Sequence, residues 1–468
     1  AIGGVIQFFT RKGGGELKPR ISVGAGSDET YQVTAGLSGG GDNSWFNASL
    51  SGLNTQGFNS CDGKPSPGGA GCFTVEPDED GYENQAAAVR GGYRFDNGAE
   101  LDLNWSRALG ESEFDGGFQN ESDTQQELFG GRFTTALLDN WQVTLLAGRS
   151  KDKSDNFKDG VFSSRFNTER DTASLQNDID LSDAQLLTVG LDYQKDRVVS
   201  GTSFAQTQRD NKGLFAQYQL MAGAHDVAFS LRGDDNQQFG HHNTGSLGWG
   251  YQLTDGLRAM ASYGTAFKAP SFNELYFPGY GNANLNPEQS RSVELGLAGE
   301  AAIGLWSANL YQTDIDDLIA YDASIFAPGN VDQARIRGLE LAYDTALGAW
   351  QLASTLTLLD PENRGSGSNR GNVLARRAQK TLYVDLNRDY GRYTTGVTLN
   401  AAGKRYDDLA NTRRLGGYST LDLRVAYDLA EAWTLQGRVN NLFDKEYETA
   451  SFYNQQGRAL FVSLTYAP

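Results

Sequence analysis

Hydrophobic and polar residues alternate singly along most of this chain. In YSTLDLRVAY, Leu421, Leu423, Val425 and Tyr427 fall on one face, and Thr420, Asp422, Arg424 and Ala426 on the other. KTLYVDL sets Leu382, Val384 and Leu386 against Tyr383 and Asp385. ELDLNWS sets Leu101, Leu103 and Trp105 against Asp102, Asn104 and Ser106. At the end of the chain Leu460, Val462, Leu464 and Tyr466 alternate with Phe461, Ser463 and Thr465. A period of two belongs to strands whose two faces meet different surroundings. Apolar residues at three-to-four spacing are scarce. No run approaches the ~18 consecutive apolar residues of a membrane-crossing helix.

Connection lengths add a second pattern. Short turns fall at 95–98 (FDNG), 137–140 (LLDN), 181–184 (LSDA), 253–256 (LTDG), 387–391 (NRDYG) and 428–432 (DLAEA). Between them the pattern predicts long polar connections over 53–84, 107–124, 150–172, 195–212, 264–290, 314–335, 358–377, 400–418 and 440–458. A soluble sandwich has no reason to alternate short with long; a transmembrane barrel does, with short periplasmic turns and long extracellular loops. Counting between the connections predicts about 22 strands from Ile21 to near Tyr466, an all-β, antiparallel transmembrane β-barrel of the size that carries a filled lumen. Tyr93, Phe95, Trp105, Trp141, Tyr251, Trp306, Trp350 and Trp433 fall at or near predicted strand ends, as members of interfacial aromatic girdles would. Val5, Ile6, Phe8 and Phe9 read as one further buried strand ahead of the first hairpin. No low-complexity linker interrupts the rest.

Composition agrees with this architecture. The mean hydropathy of −0.49 does not count against a barrel, because only alternate residues meet lipid. The chain holds 57 Gly and 10 Pro, and its formal charge is −18. Phosphate binding needs a basic face, so a nucleic-acid partner is excluded. Acidic loops, by contrast, can gather divalent cations. The only histidines are His225, His241 and His242. His241 and His242 are adjacent and point to opposite faces of a strand, and no G-x-S-x-G elbow occurs. A nucleophile–base set for catalysis is therefore not legible, and two histidines alone are a weak zinc signal.

Five segments carry a family resemblance: AIGGVIQFFTRKG at the start, SYGTAFKAPSFNELY at 262–276, NANLNPEQSRSVELG at 282–296, NVDQARIRGLELAY at 330–343 and NNLFDKEYETASFYNQQGRALFVSLTYAP at 440–468. They resemble the TonB-dependent outer-membrane receptors, over nearly the full chain. The resemblance implies that residues 1–15 are the last strand of a plug domain otherwise absent from this sequence, and that 16–468 form the barrel. It implies a bacterial outer-membrane, multi-pass location and an energy supply from the TonB complex acting through the plug. Outer-membrane lipid, lipopolysaccharide and a surface lipoprotein are the further partners to expect. Without a plug such a barrel is a passive open pore. One departure is that Ala467 and Pro468 follow Tyr466, where the family usually ends in an aromatic.

Within the family, RGDDNQQFGHHNTGSLGWGYQL at 232–253, LARRAQK at 374–380 and DKEYETASFYNQQGR at 444–458 resemble the cobalamin-transporting members. A ferric-siderophore or other metal-chelate receptor is the alternative. The likeness to the cobalamin group implies calcium held between two loops, through Asp78 and Asp80 in EPDEDGYEN, Asp115 in FDGG and Asp123 in SDT. Asn59 stands where the family has an aspartate, one negative charge fewer. Oxygen-rich clusters of this type suit hard cations. The same likeness implies ligand contacts at Arg376 and Tyr453, and at Phe114, which stands where the family often has tyrosine. Cys61 and Cys72 lie in one loop of a chain that would fold through an oxidising periplasm, so a disulfide is the expected state.

Overall fold

A computed structural model describes residues 2, 4, 10–65, 68–74, 76–301, 304–322 and 325–468. Val5, Ile6, Phe8 and Phe9 lie outside the described residues. One sheet of 22 antiparallel strands winds in sequence order from Lys18–Gly26 to Ala459–Tyr466, and these two strands then pair with each other. Ile21 lies opposite Tyr466 and Val23 opposite Leu464, and the Ser22 and Thr465 hydroxyls bond across the seam at 2.9 Å. Closure leaves no strand edge with unpaired N–H and C=O groups, which is the condition for crossing lipid with strands.

The alternation read from the sequence sorts cleanly between the two faces. Leu421, Leu423 and Val425 pair with Leu399, Val397 and Thr395, while the intervening Thr420, Asp422 and Arg424 face Asn400, Thr398 and Gly396 across the same strands. The inward set is polar and bonded to itself. The Arg424 guanidinium reaches both Asp385 oxygens, and Thr398 donates to Asp385 at 2.6 Å. The outward set is bare: Leu295, Leu310 and Leu460 are each more than half exposed. Side chains that would be a core in a soluble protein are here the surface that lipid covers. The sealed apolar core is correspondingly small, built on Ile315, Ala334 and Leu374 near the long-loop rim.

Trp141, Trp350 and Trp433 open their strands at the short-turn rim, and the pairs Tyr393–Tyr427 and Trp433–Tyr466 pack ring on ring there. Trp105 departs from expectation: it is the sixth residue of the strand Glu100–Glu113 and points outward in mid-wall. Trp45, by contrast, faces the lumen. It is 9% exposed, and its indole donates to Asp102 at 2.9 Å. The Lys12 ammonium sits 3.7 Å from its ring centroid, and Arg90 joins Asp102 to the Thr10 carbonyl. Backbone bonds from Gly14 to Gly39 and from Gly40 to Gly15 complete a clamp that holds residues 10–15 to the inner wall at the short-turn rim.

Several predicted long loops prove to be strand. The connection expected over 150–172 is a two-residue turn, Asp159–Gly160, between strands Trp141–Lys158 and Val161–Ser182. Both turn residues have positive φ, 52° and 75°, as an Asp-Gly hairpin turn requires. Most of the expected 314–335 loop is likewise taken up by the strands Gly304–Asp322 and Ala327–Leu347, and 195–212 shrinks to 201–207. Beyond the bilayer both strand faces are wet, so the hydropathy alternation disappears while the backbone ladder continues. Cross-strand ion pairs such as Arg149–Asp171 and Arg165–Asp155 mark those extensions.

The two faces differ in what they tolerate. Leu423→Arg, on the lipid face, is expected to destabilise the barrel by about 2–4 kcal/mol, while Asn400→Arg, facing the lumen, changes stability by less than about 1 kcal/mol. Urea unfolding in lipid vesicles measures both.

Candidate functional site at the long-loop rim

The first long connection, 59–79, and the last, 441–458, meet across the barrel seam. Cys61 and Cys72 are disulfide-bonded, with Cα atoms 5.9 Å apart. Cys61 forms a β-bridge with Tyr453. Asp62 donates to the Phe452 carbonyl at 2.8 Å, Asn454 donates to the Ser60 carbonyl at 2.9 Å, and the Asn454 amide donates to the Asn59 carbonyl at 3.2 Å. The Lys64 ammonium stands over the Phe452 ring at 4.5 Å. Tyr453 turns its hydroxyl onto Gly71, where a Cβ would lie 3.3 Å from it. Tyr453, which the resemblance implies as a ligand contact, is thus fixed against the disulfide loop.

The acidic residues gather beside this junction. Asp80 accepts from the Ser60 backbone N–H at 2.7 Å and from its hydroxyl at 2.5 Å. Asn59 accepts from Cys61 N–H at 3.0 Å and donates to the Glu76 carbonyl at 3.2 Å, so it closes the loop on itself. Asp115, on the neighbouring connection 114–120, is different. Its Oδ2 is buried without a hydrogen-bond partner among the described residues. Burial first, then the charges of Asp80, Glu76 and Asp78, push its pKa up to about 6. Among the described residues no cation pairs with this carboxylate. The Lys158 ammonium, the nearby cation, is engaged by Glu76 at 2.9 Å and Asp159 at 3.3 Å. Phe114 is half-buried and its N–H bonds the Asn120 carbonyl at 2.9 Å.

Asp123 stands apart. It is exposed on the strand Glu121–Leu138, opposite Glu111 and Asp155, on the face away from its buried neighbour Ser122. It is not among the carboxylates acting on Asp115. Glu76 is the acid that joins the cluster without having been singled out from sequence. Among the described residues, no three acidic, histidine or cysteine side chains are drawn close enough together to chelate a metal.

On another sector of the rim Arg376 adopts φ 59° and donates from Nε to Asp407 at 2.7 Å, while its N–H bonds the Tyr406 carbonyl at 2.6 Å. Asp407 is almost fully covered, whereas the guanidinium is 56% exposed, leaving its other donors in water. Burial lowers the pKa of the adjacent Arg377.

The connection 269–287 carries a feature not anticipated from sequence, the helix Phe272–Tyr276. Ser271 and Glu274 form a capping box. Arg209 donates to the Pro270 carbonyl at 2.9 Å and lies against the faces of Phe272 and Phe239, and Gln238 donates to the Tyr276 hydroxyl at 2.6 Å. These bonds fold the segment inward. Ser271 to Asn273 help to line a luminal cavity of about 870 Å³, whose walls include Ser49, Ala88, Ser106, Gln126, Thr168 and Arg170. The S-x-x-E signal was legible, but a single helical turn inside a predicted loop gives no periodicity to detect.

The closed barrel, its laced loops and its lumen place the chain in a known class. The family described as TonB dependent receptor-like, beta-barrel matches residues 22–442. The chain belongs to the TonB-dependent receptors, proteins of the bacterial outer membrane, and the long-loop rim is therefore the extracellular one. It is 32% identical over 480 residues to the vitamin B12 transporter BtuB of Photobacterium profundum, covering 100% of this chain and 76% of that protein. The vitamin B12 transporter BtuB of Vibrio vulnificus is 29% identical over 486 residues, with the same coverage. Among solved structures, a mutant of the ferric enterobactin receptor PfeA from Pseudomonas aeruginosa superposes with TM-score 0.83 at 18% identity, over 98% of this chain and 81% of that one. The siderophore receptor PirA from Acinetobacter baumannii gives 0.81 at 18%, with the same coverage. At these identities the structural likeness speaks for the fold alone.

Two outcomes test the rim. Folded Asp115 holds its proton to about pH 6, against 3.8 when unfolded, so the folded loop binds more protons between those values and its stability falls as pH rises through them. In chelator, hydrogen exchange of 114–120, corrected for intrinsic rates, is expected to be slower at pH 5 than at pH 7.5, and Asp115→Asn should remove the difference. Replacing both Cys61 and Cys72 by Ser is expected to speed proteolysis within 62–71 by about tenfold, with the barrel's own melting unchanged because the sheet closes elsewhere.

Proposed function

We propose that this receptor takes up cobalamin across the outer membrane, with calcium ordering the loops that carry Asp78, Asp80 and Asp115. The observation that carries the ligand is the 32% identity to a vitamin B12 transporter along the whole chain. The segments around Arg376 and Tyr453 support it, since both residues lie on loops of the extracellular rim. The half-exposed Arg376 guanidinium has free donors for amide or phosphate oxygens, and Tyr453 supplies an aromatic face with a hydroxyl. Phe114 adds apolar surface without a hydroxyl.

Calcium rests on donor chemistry. The buried, unpartnered Asp115 oxygen and the repulsion it meets from Asp80, Glu76 and Asp78 are what a hard cation relieves. When bound, the ion would supply the positive charge that this group lacks. The protein's part is to bring Asp78 and Asp80 toward Asp115 as the 59–79 and 114–120 connections close. Asp123 would join only if the tip of its strand turned. Release inward depends on TonB, because the barrel itself holds no energy source, and the clamp on residues 10–15 fixes where the luminal segment enters the wall. The proposed cycle is binding and translocation, with no bond of the cargo broken.

Cyanocobalamin titrated onto outer membranes that carry the receptor, with Ca²⁺ and with EGTA, tests both parts. Tight binding weakened by EGTA, and weakened similarly by Asp115→Asn in Ca²⁺, is the expected result. Binding indifferent to EGTA would remove calcium and keep the ligand. Absence of binding under both conditions, with uptake of a ferric siderophore instead, would overturn the cobalamin reading.

A further inference from the structure

The strands beside the closing seam carry a luminal feature that the mouth does not use. Along the last strand Leu460, Val462 and Leu464 turn outward, and Phe461, Ser463 and Thr465 turn into the lumen. Opposite the inward set stand Gln436 and Arg438 on the strand Trp433–Asn440, and Ser22 and Gly24 on Lys18–Gly26. Thr34 and Gln32 follow on Thr30–Gly40, paired with Ser22 and Gly24. With Arg20 these residues line a cavity of about 200 Å³. Gly24 gives it its shape. A Cβ there would lie 2.5 Å from the Phe461 ring, so glycine lets that ring lie on the wall. The Arg438 guanidinium rests over the same ring, 4.8 Å from its centroid.

The charges of this cavity have one sign. Arg20 and Arg438 line it, and no carboxylate does. Neither arginine makes an ion pair or a side-chain hydrogen bond among the described residues. Other inward arginines are matched: Arg232 by Asp192 and Asp234, Arg258 by Asp226, and Arg424 by Asp385. Two unmatched guanidinium groups in one small cavity therefore stand out on a chain whose formal charge is −18. The Thr34 and Ser463 hydroxyls and the Gln32 and Gln436 amides have no side-chain partner among the described residues either. A guanidinium presents paired N–H donors to an oxyanion. Hydroxyl and amide donors can complete its shell. A cleft lined by one sign of charge, with low-dielectric walls behind it, concentrates the field of those charges.

We propose that this cavity is an oxyanion site, which takes a phosphate or carboxylate group between Arg20 and Arg438. Two sources share that chemistry: a phosphate on a solute crossing the lumen, and a carboxylate of a polypeptide segment lying within it. Arg20 is the third residue of a strand that begins at the short-turn rim, so the site lies on the periplasmic side of the mouth. It stands on the wall of the barrel and does not rest on the cobalamin reading.

The test is isothermal titration of the full chain in dodecyl maltoside, at constant ionic strength and pH 7.5, with sodium phosphate and with sodium acetate as probes. The expected result is one saturable site whose affinity falls at least about tenfold in the double variant Arg20→Gln, Arg438→Gln. The double variant Arg392→Gln, Arg414→Gln removes the same charge from exposed positions at the two rims and should bind as before. Circular dichroism of the β-sheet confirms equal barrel content in all samples. Phosphate bound more tightly than acetate assigns the site to a solute phosphate, and acetate bound at least as tightly assigns it to a polypeptide carboxylate. Three outcomes would each overturn the site: no saturable binding of either probe, binding unchanged without Arg20 and Arg438, or an equal loss in the rim variant, which would indicate diffuse attraction.

Discussion

Backbone hydrogen bonding without water is the constraint on which this structure depends. A strand in hydrocarbon must find partners for all its N–H and C=O groups in other strands, and a sheet satisfies that only by closing. The pairing of Lys18–Gly26 with Ala459–Tyr466 is the last step of closure, and the rest follows from it. Once the wall is continuous, period-two alternation sends leucine and valine out and the Arg424–Asp385–Thr398 type of network in. The lumen then becomes a polar space that loops can cover at one rim and residues 10–15 can enter at the other.

The membrane-embedded wall was legible because lipid imposes a different medium on alternate residues. Leu421, Leu423 and Val425 announce it. The same logic fails where both faces meet water. Asp155 and Arg165 read as loop, yet they belong to long strands whose order comes from backbone pairing and facing charges. Trp45 could not be told from a girdle tryptophan by its identity; its lumenal role depends on meeting Asp102 and Lys12 from distant parts of the chain.

The rim was legible in its parts and not in its assembly. Resemblance singled out Asp80, Asp115, Arg376 and Tyr453, and the structure sets the first two within one electrostatic neighbourhood. It also separates Asp123 onto an outward strand face and brings in Glu76, neither of which spacing along the chain could reveal. Arg209, which ties the Phe272 helix to the wall, lies 61 residues from its carbonyl partner and carries no local signature.

The lacing between the first and last loops has a consequence in time. The disulfide spans 11 residues, while the Asn454–Asn59 contact spans 395. A local crosslink can form as soon as its segment reaches an oxidising compartment, whereas a contact between the chain's extremities waits for nearly all of the polypeptide and for the seam to shut. The covalent part of the receptor's mouth is thus made early and its docking surface last. A barrel stalled one hairpin short of completion would already carry its oxidised loop and still present no assembled mouth.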